Sequence, residues 1–206
     1  KAFDELFGEV ALHASIEQCT ELLAAKDTRN IPGLFMAFKN GHAGAIKSFC
    51  DLLSRVPAEP RVELLGAEYE GMSGLFVALG LGHAGAVKAF GELLLLMPHG
   101  QRARLLTVRS EEGLSGVAVA LKEGKLEALE QYIEIIKKTA PTLSVQERAD
   151  LLKYIQESHA VQTQGMWTNS PYYETLKEES PDFYLRFEEM KNALITPDAT
   201  RTTRLA

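Results

Sequence analysis

GLFMAFKNGHAGAIKSFCDLL, residues 33–53, returns as GLFVALGLGHAGAVKAFGELL at 74–94 and, more worn, as GVAVALKEGKLEALEQYIEII at 116–136. The offsets are 41 and 42 residues, with register kept through each block. Self-similarity at such a period is the mark of a repeat architecture. A second element recurs between the copies: TELLAAKD from Thr20, VELLGAEY from Val62, ARLLTVRS from Ala103 and ERADLLKY from Glu147. The last has no GLF-type segment after it. Each unit therefore holds three short apolar-periodic pieces. KAFDEL at Lys1 matches KSFCDL at Lys47 and KAFGEL at Lys88, so the chain opens part-way through a unit. Half a unit would expose its apolar face. The expectation is a piece of a longer protein, or an altered cap at the start. The wider spacing from Lys1 to Lys47 implies extra residues around Ala11 to Ser15.

Local chemistry puts the pieces on helices. Pro32 suits a helix start, where its missing N–H costs nothing. Ser73 and Ser115 hold the matching position and can accept first-turn N–H groups. Gly41, Gly82 and Gly124 fall where the short first helix must reverse through a left-handed residue. The next piece carries a helical stripe, Ala45, Ile46, Phe49, Leu52 and Leu53 in one copy and Ala86, Val87, Phe90, Leu93 and Leu94 in the other. Lys47–Asp51 and Lys88–Glu92 are placed for i,i+4 pairing. Pro57 and Pro98 end that helix. Ser144 and Glu147 form a capping box for the last third-piece helix. No run alternates at period two, so strand content near zero is expected and the fold class is all-α.

The segment LFMAFKNGHAGAIKSF resembles the helix–turn–helix of ankyrin repeats, whose pattern runs TPLHLAAxxGHxxVVxLL. Leu34, Met36, Ala37, Gly41, His42 and Ile46 fall on it in order, as do Leu75, Val77, Ala78, Gly82, His83 and Val87. The likeness covers three units, from Cys19 to Ile136. It departs in three ways. Phe35 and Phe76 replace the pattern's histidine, no Asp-Gly hairpin is evident, and the period exceeds the usual ~33 residues. The surplus reads as an added helix. The expected fold is an ankyrin-like helical repeat solenoid with about three helices per 41–42-residue unit. An armadillo-like array, also three-helical at about this period, is the runner-up. The expected layout is a partial repeat over 1–18, repeats over 19–159, and a cap with a frayed tail over 160–206.

This version of the motif is similar to ankyrin-like domains of bacterial type III secretion effectors, including OspC-type and enterotoxin-like effectors of enteric pathogens. The resemblance implies a virulence effector delivered into the host cytosol. Its repeats would be a protein–protein interaction module that captures a host protein for a separate enzymatic domain. In the OspC type that domain modifies arginine using NAD, and the repeats hold a caspase. The fragment itself is expected to be no enzyme. The alternatives are an intramolecular scaffold for an upstream domain, or part of the enzyme.

Functional residues follow from what drifts between copies. The loops before each first helix read Lys26–Asn30, Glu68–Glu70 and Arg109–Glu112 and share nothing. In ankyrin folds this edge and the exposed side of the first helix line the binding surface. The candidate partner-binding residues are Arg29, Asn30, Met36, Lys39, Asn40, Glu68, Tyr69, Glu70, Leu81, Arg109, Glu111, Glu112 and Lys122, with Val77, Gly80 and Glu123 beside them. The glutamates make part of this surface acidic, which suits a partner with a basic patch. Tyr69 is the residue type enriched at interface hot spots. In the tail, Trp167 with Tyr172 and Tyr173 stands in a loop-like stretch. Phe183, Phe187, Met190 and Leu194 then share one side of a helix after Ser180. The expected role is a cap, or else a partner-binding arm, and Trp167 joins the candidates.

Other chemistry finds little footing. His42 and His83 recur with the repeat and are expected to tie turns together through backbone hydrogen bonds. His13, His99 and His159 have no metal-ligand spacing. A Cys19–His13 pair lacks any oxyanion element. The glycines at 33, 41 and 44 recur at 74, 82 and 85, as repeat geometry rather than a dinucleotide fingerprint. No cofactor and no metal are expected. A net charge of −6 argues against nucleic acid. The absence of an apolar run near ~18 residues argues against a membrane span. Two cysteines in apolar patterns read as buried hydrophobes in a reducing compartment.

Overall fold

A computed structural model of the chain describes residues 15–163 and 180–195, without the side chains of 159–163. Trp167, Tyr172, Tyr173, His13 and the KAFDEL segment lie outside the described residues. The fold is all-α, with eleven helices among those residues.

Three blocks of helices repeat in order. The first holds α2 (Gly33–Lys39), α3 (Ala43–Leu53) and α4 (Ala58–Leu65), preceded by α1 (Ile16–Ala24). The second holds α5 (Gly74–Leu81), α6 (Ala84–Leu95) and α7 (His99–Leu106). The third holds α8 (Gly116–Lys122), α9 (Leu126–Thr139), a 3-10 turn (Ala140–Thr142) and α10 (Val145–Thr163). α11 (Pro181–Ile195) follows. Like packs on like: α5 lies between α2 and α8, and α6 between α3 and α9. α11 lies over α9 and α10. The boundaries drawn at 18/19 and 159/160 fall inside α1 and α10.

The sequence explains these elements. Ser73 and Ser115 accept the N–H of Phe76 (3.3 Å) and Ala118 (2.9 Å), satisfying donors the helix itself cannot. Each short helix reverses through a glycine of positive φ: Gly41 (+68°), Gly82 (+79°) and Gly124 (+64°). Ser144 and Glu147 exchange hydrogen bonds, 2.8 Å to the carboxylate and 3.2 Å to the hydroxyl. Ser15 and Gln18 do the same at α1. One hydrophobic cluster runs from Cys19 to Leu194. Phe38 meets Phe90 edge-on at 6.0 Å across the first two blocks. Burying a side chain of this size contributes about 1.5–3 kcal/mol. On α11 the buried residues are Phe183, Phe187, Met190 and Leu194. Among the described residues, no ion pair joins Lys47 to Asp51 or Lys88 to Glu92. Exposed pairs of that kind contribute little.

Strand content is near zero, as expected, and what there is closes the loops before the first helices as hairpins. β1 (Glu68–Tyr69) pairs antiparallel with β2 (Met72–Ser73). Glu70 (φ 51°) and Gly71 (φ 67°) form its two-residue turn, both left-handed, the geometry that matches strand twist. In the outer blocks single bridges, Lys26–Pro32 and Arg109–Ser115, close loops one residue longer. Asn30 (φ 63°) and Gly113 (φ 80°) supply the left-handed residue there. That extra residue explains the alternating period. The run from the ELL-type segment to the first helix is 13 residues from Thr20 to Gly33 and from Ala103 to Gly116, but 12 from Val62 to Gly74.

Candidate protein-docking face

The second hairpin tip lies close to each of the other two. Tyr69 feels the charges of Asp27 and Arg29 in the first tip. Gly71 sits against Glu111 of the third, so closely that a Cβ on Gly71 would overlap that side chain. The tips form one continuous edge beside the row of short helices.

In the first tip, Asp27 Oδ1 accepts the N–H groups of Arg29 (2.9 Å) and Ile31 (3.0 Å). The Ile31 N–H, with help from Arg29, holds the Asp27 carboxyl below its usual range. Arg29 pairs with the same carboxylate at 2.9 Å. Asn30 is exposed and left-handed. In the second tip, Tyr69 is half-buried and rests on the ring of Phe35, centroids 5.5 Å apart at 54°. A hydrogen bond with Glu70 pushes its hydroxyl pKa up. Glu68, Glu70, Glu111 and Glu112 are exposed. None of them forms an ion pair among the described residues, whereas Arg29 and Arg109 are both paired. The edge is therefore acidic in effect.

Arg109 is occupied by the fold. Its guanidinium lies 5.0 Å over the Tyr154 ring, 2.7 Å from Glu157 and 3.1 Å from the Gly113 carbonyl. It is a strut between the third hairpin and α10. No nearby residue in the sequence signals this, because Tyr154 and Glu157 lie more than forty positions on. On the short helices, Met36 and Lys122 are half-buried, and Lys39, Asn40 and Glu123 are exposed. Asn40 Nδ2 donates to the Met36 carbonyl at 2.9 Å. Lys122 stands 3.9 Å from Glu123. Leu81 is a large apolar residue left 50 % exposed. Val77 and Gly80 are half-buried. Phe35, the platform under Tyr69, is the residue sequence reasoning missed. Its apolar type at the place of the pattern's histidine was the available signal.

No family model, curated protein or solved structure matches this chain.

Below the hairpins, a cleft of about 280 Å³ opens between α4 and α7. Val62, Leu65, Phe90 and Leu105 line it, with Glu63 and Arg104 among its polar residues. That is at the low end for small-molecule pockets. Cys19 is buried, and burial raises the half-buried Cys50 thiol, disfavouring the reactive thiolate. Among the described residues, no three His, Cys, Asp or Glu side chains gather as a metal site, and no helix is long and apolar enough to cross a membrane.

Proposed function

We propose that the chain is an ankyrin-like repeat solenoid that docks another protein on its hairpin edge, without catalytic chemistry of its own. Its likeness to type III secretion effector repeats makes the intended partner a host protein in the host cytosol, presented to an upstream enzymatic domain. The observation that carries this reading is the second hairpin tip. There a half-buried tyrosine, seated on Phe35, hydrogen-bonds Glu70 on a tip that also carries the exposed Glu68 and packs against Glu111 at Gly71. A rigid aromatic anchor inside a charged rim is how interfaces concentrate their energy. The rim's sign calls for a basic patch on the partner, and Leu81 and Met36 extend the surface along the short helices.

Affinity capture with the native chain and with a Tyr69→Ala, Glu70→Lys, Glu111→Lys, Glu112→Lys variant tests it. Proteins retained by the native chain should be lost from the variant. Their binding should also weaken with added salt, because a charged rim is screened. An anchor worth ~1.4 kcal/mol alone changes Kd about tenfold. Equal recovery by both baits removes the edge from consideration.

A further inference from the structure

Successive blocks are joined at the glycine turns. His83, at the start of α6, reaches back one block: its Nε2 lies 3.0 Å from the Lys39 carbonyl. Its ring fits against Gly41, where a Cβ would fall 2.8 Å from Nδ1. At the next joint Lys125 holds the equivalent place, its stem against Gly82, where a Cβ would fall 2.8 Å from Cδ. His42 stands at the same position at the start of α3. Its backbone has the conformation of His83, φ −77° and ψ 71° against −79° and 74°. Yet the His42 side chain is exposed and its ring makes no hydrogen bond among the described residues, its backbone bonding only to Ala37 and Ile46. The stripe beside it follows suit. Ala45 and Phe49 are half-buried, while Ala86 and Phe90 are 0 % and 1 % exposed, and Ala128 and Tyr132 likewise 0 % and 1 %.

We propose that the face formed by His42, Ala45 and Phe49 is a docking joint for a further unit of this same repeat. The loop carbonyl of that unit, at the place of Lys39, would accept the His42 Nε2–H. The occupant is argued from within the chain, since the two equivalent faces are each filled by the preceding block. The chain's other end offers a poorer occupant, because α11 covers α9 and α10 there. The inference rests on the stacked-repeat reading, and it extends the array beyond the blocks described.

Ser15 and Pro57 both cap third-piece helices, so a copy of residues 31–56 can be joined directly to Ser15 in place of residues 1–14. His42→Ala and His83→Ala are then compared in the native and the extended chain by thermal unfolding. His83→Ala should lower Tm by about 2–4 °C in both, the loss of one hydrogen bond at this size. His42→Ala should leave the native chain unchanged and lower the extended chain's Tm as His83→Ala does. No effect of His42→Ala in the extended chain overturns the proposal. So does a native chain that sediments as a dimer and becomes monomeric on His42→Ala, since a second copy would then own the face. A neutral His83→Ala in both chains sinks the stacked-joint reading itself, and this inference with it.

Discussion

Two tyrosines show what single residues do here. Tyr132 and Tyr154 are buried, and their hydroxyls donate to the carbonyls of Leu106 and Val108, each at 2.8 Å. Those carbonyls flank Thr107, where the chain leaves α7 for the third hairpin. Burial raises both phenols, Tyr154 to about 12 from its ordinary 10.0. A raised folded-state pKa means the neutral form is the stabilising one. Its contribution is complete below pH ~10, the unfolded value, and is lost as pH climbs through the folded value. Urea unfolding from neutral pH to pH ~12 should therefore show stability falling above pH ~10. Tyr154→Phe should flatten that fall by on the order of 2 kcal/mol. A decline identical in the variant refutes the assignment. Neither partner was legible in the sequence: Leu106 is 26 positions from Tyr132, and Val108 is 46 from Tyr154. The Ser73 and Ser115 caps were legible because a cap bonds only two or three residues ahead.

At the scale of elements, a recurring arginine anchors three of the third-piece helices, α4, α7 and α10. Arg61, Arg102 and Arg148 each donate to the carbonyl five residues upstream, that of Val56 (2.5 Å), Met97 (3.1 Å) and Leu143 (3.2 Å). They satisfy acceptors left open where the preceding helix ends. Arg61 and Arg102 also bridge to the next block, at Leu96 O (3.1 Å) and Thr142 Oγ1 (3.2 Å). Arg102 is buried and adds Leu95 O at 2.9 Å. Arg102→Met keeps the stem but orphans three acceptors, and should cost about 3 kcal/mol in chemical denaturation. Arg61→Met, at a half-buried site, should cost less. Equal losses would mean that burial does not set the strength of the clamp. The helices themselves were readable, because apolar period and proline stops are local. The hairpins were not, because two-residue strands are too short to alternate. Their turn signal was also a single Glu-Gly pair, with an unusual left-handed glutamate.

For the molecule as a whole, the open question is how far a disturbance at one end travels. Each block touches chiefly its neighbours, so stability should be close to a sum of local and nearest-neighbour parts. α11 packs on the third block. Phe183, Phe187, Met190 and Leu194 come from one helical stripe, legible as such, and lie buried over α9 and α10. Phe187 is fully buried, stacked on Phe183 at 6.1 Å, with the Lys191 ammonium 5.8 Å over its ring. Phe187→Ala should cost about 3–5 kcal/mol, transfer loss plus cavity. Its reach separates two kinds of molecule. In a nearest-neighbour array, hydrogen exchange should speed up in α11, α9 and α10 while α2 and α3 keep their native protection. In a single cooperative globule, protection would fall everywhere by the same free energy. The contact pattern favours the first outcome, because no element of the first block is among the principal neighbours of α11. A uniform loss would show that the continuous hydrophobic cluster, not the division into blocks, governs how the chain unfolds.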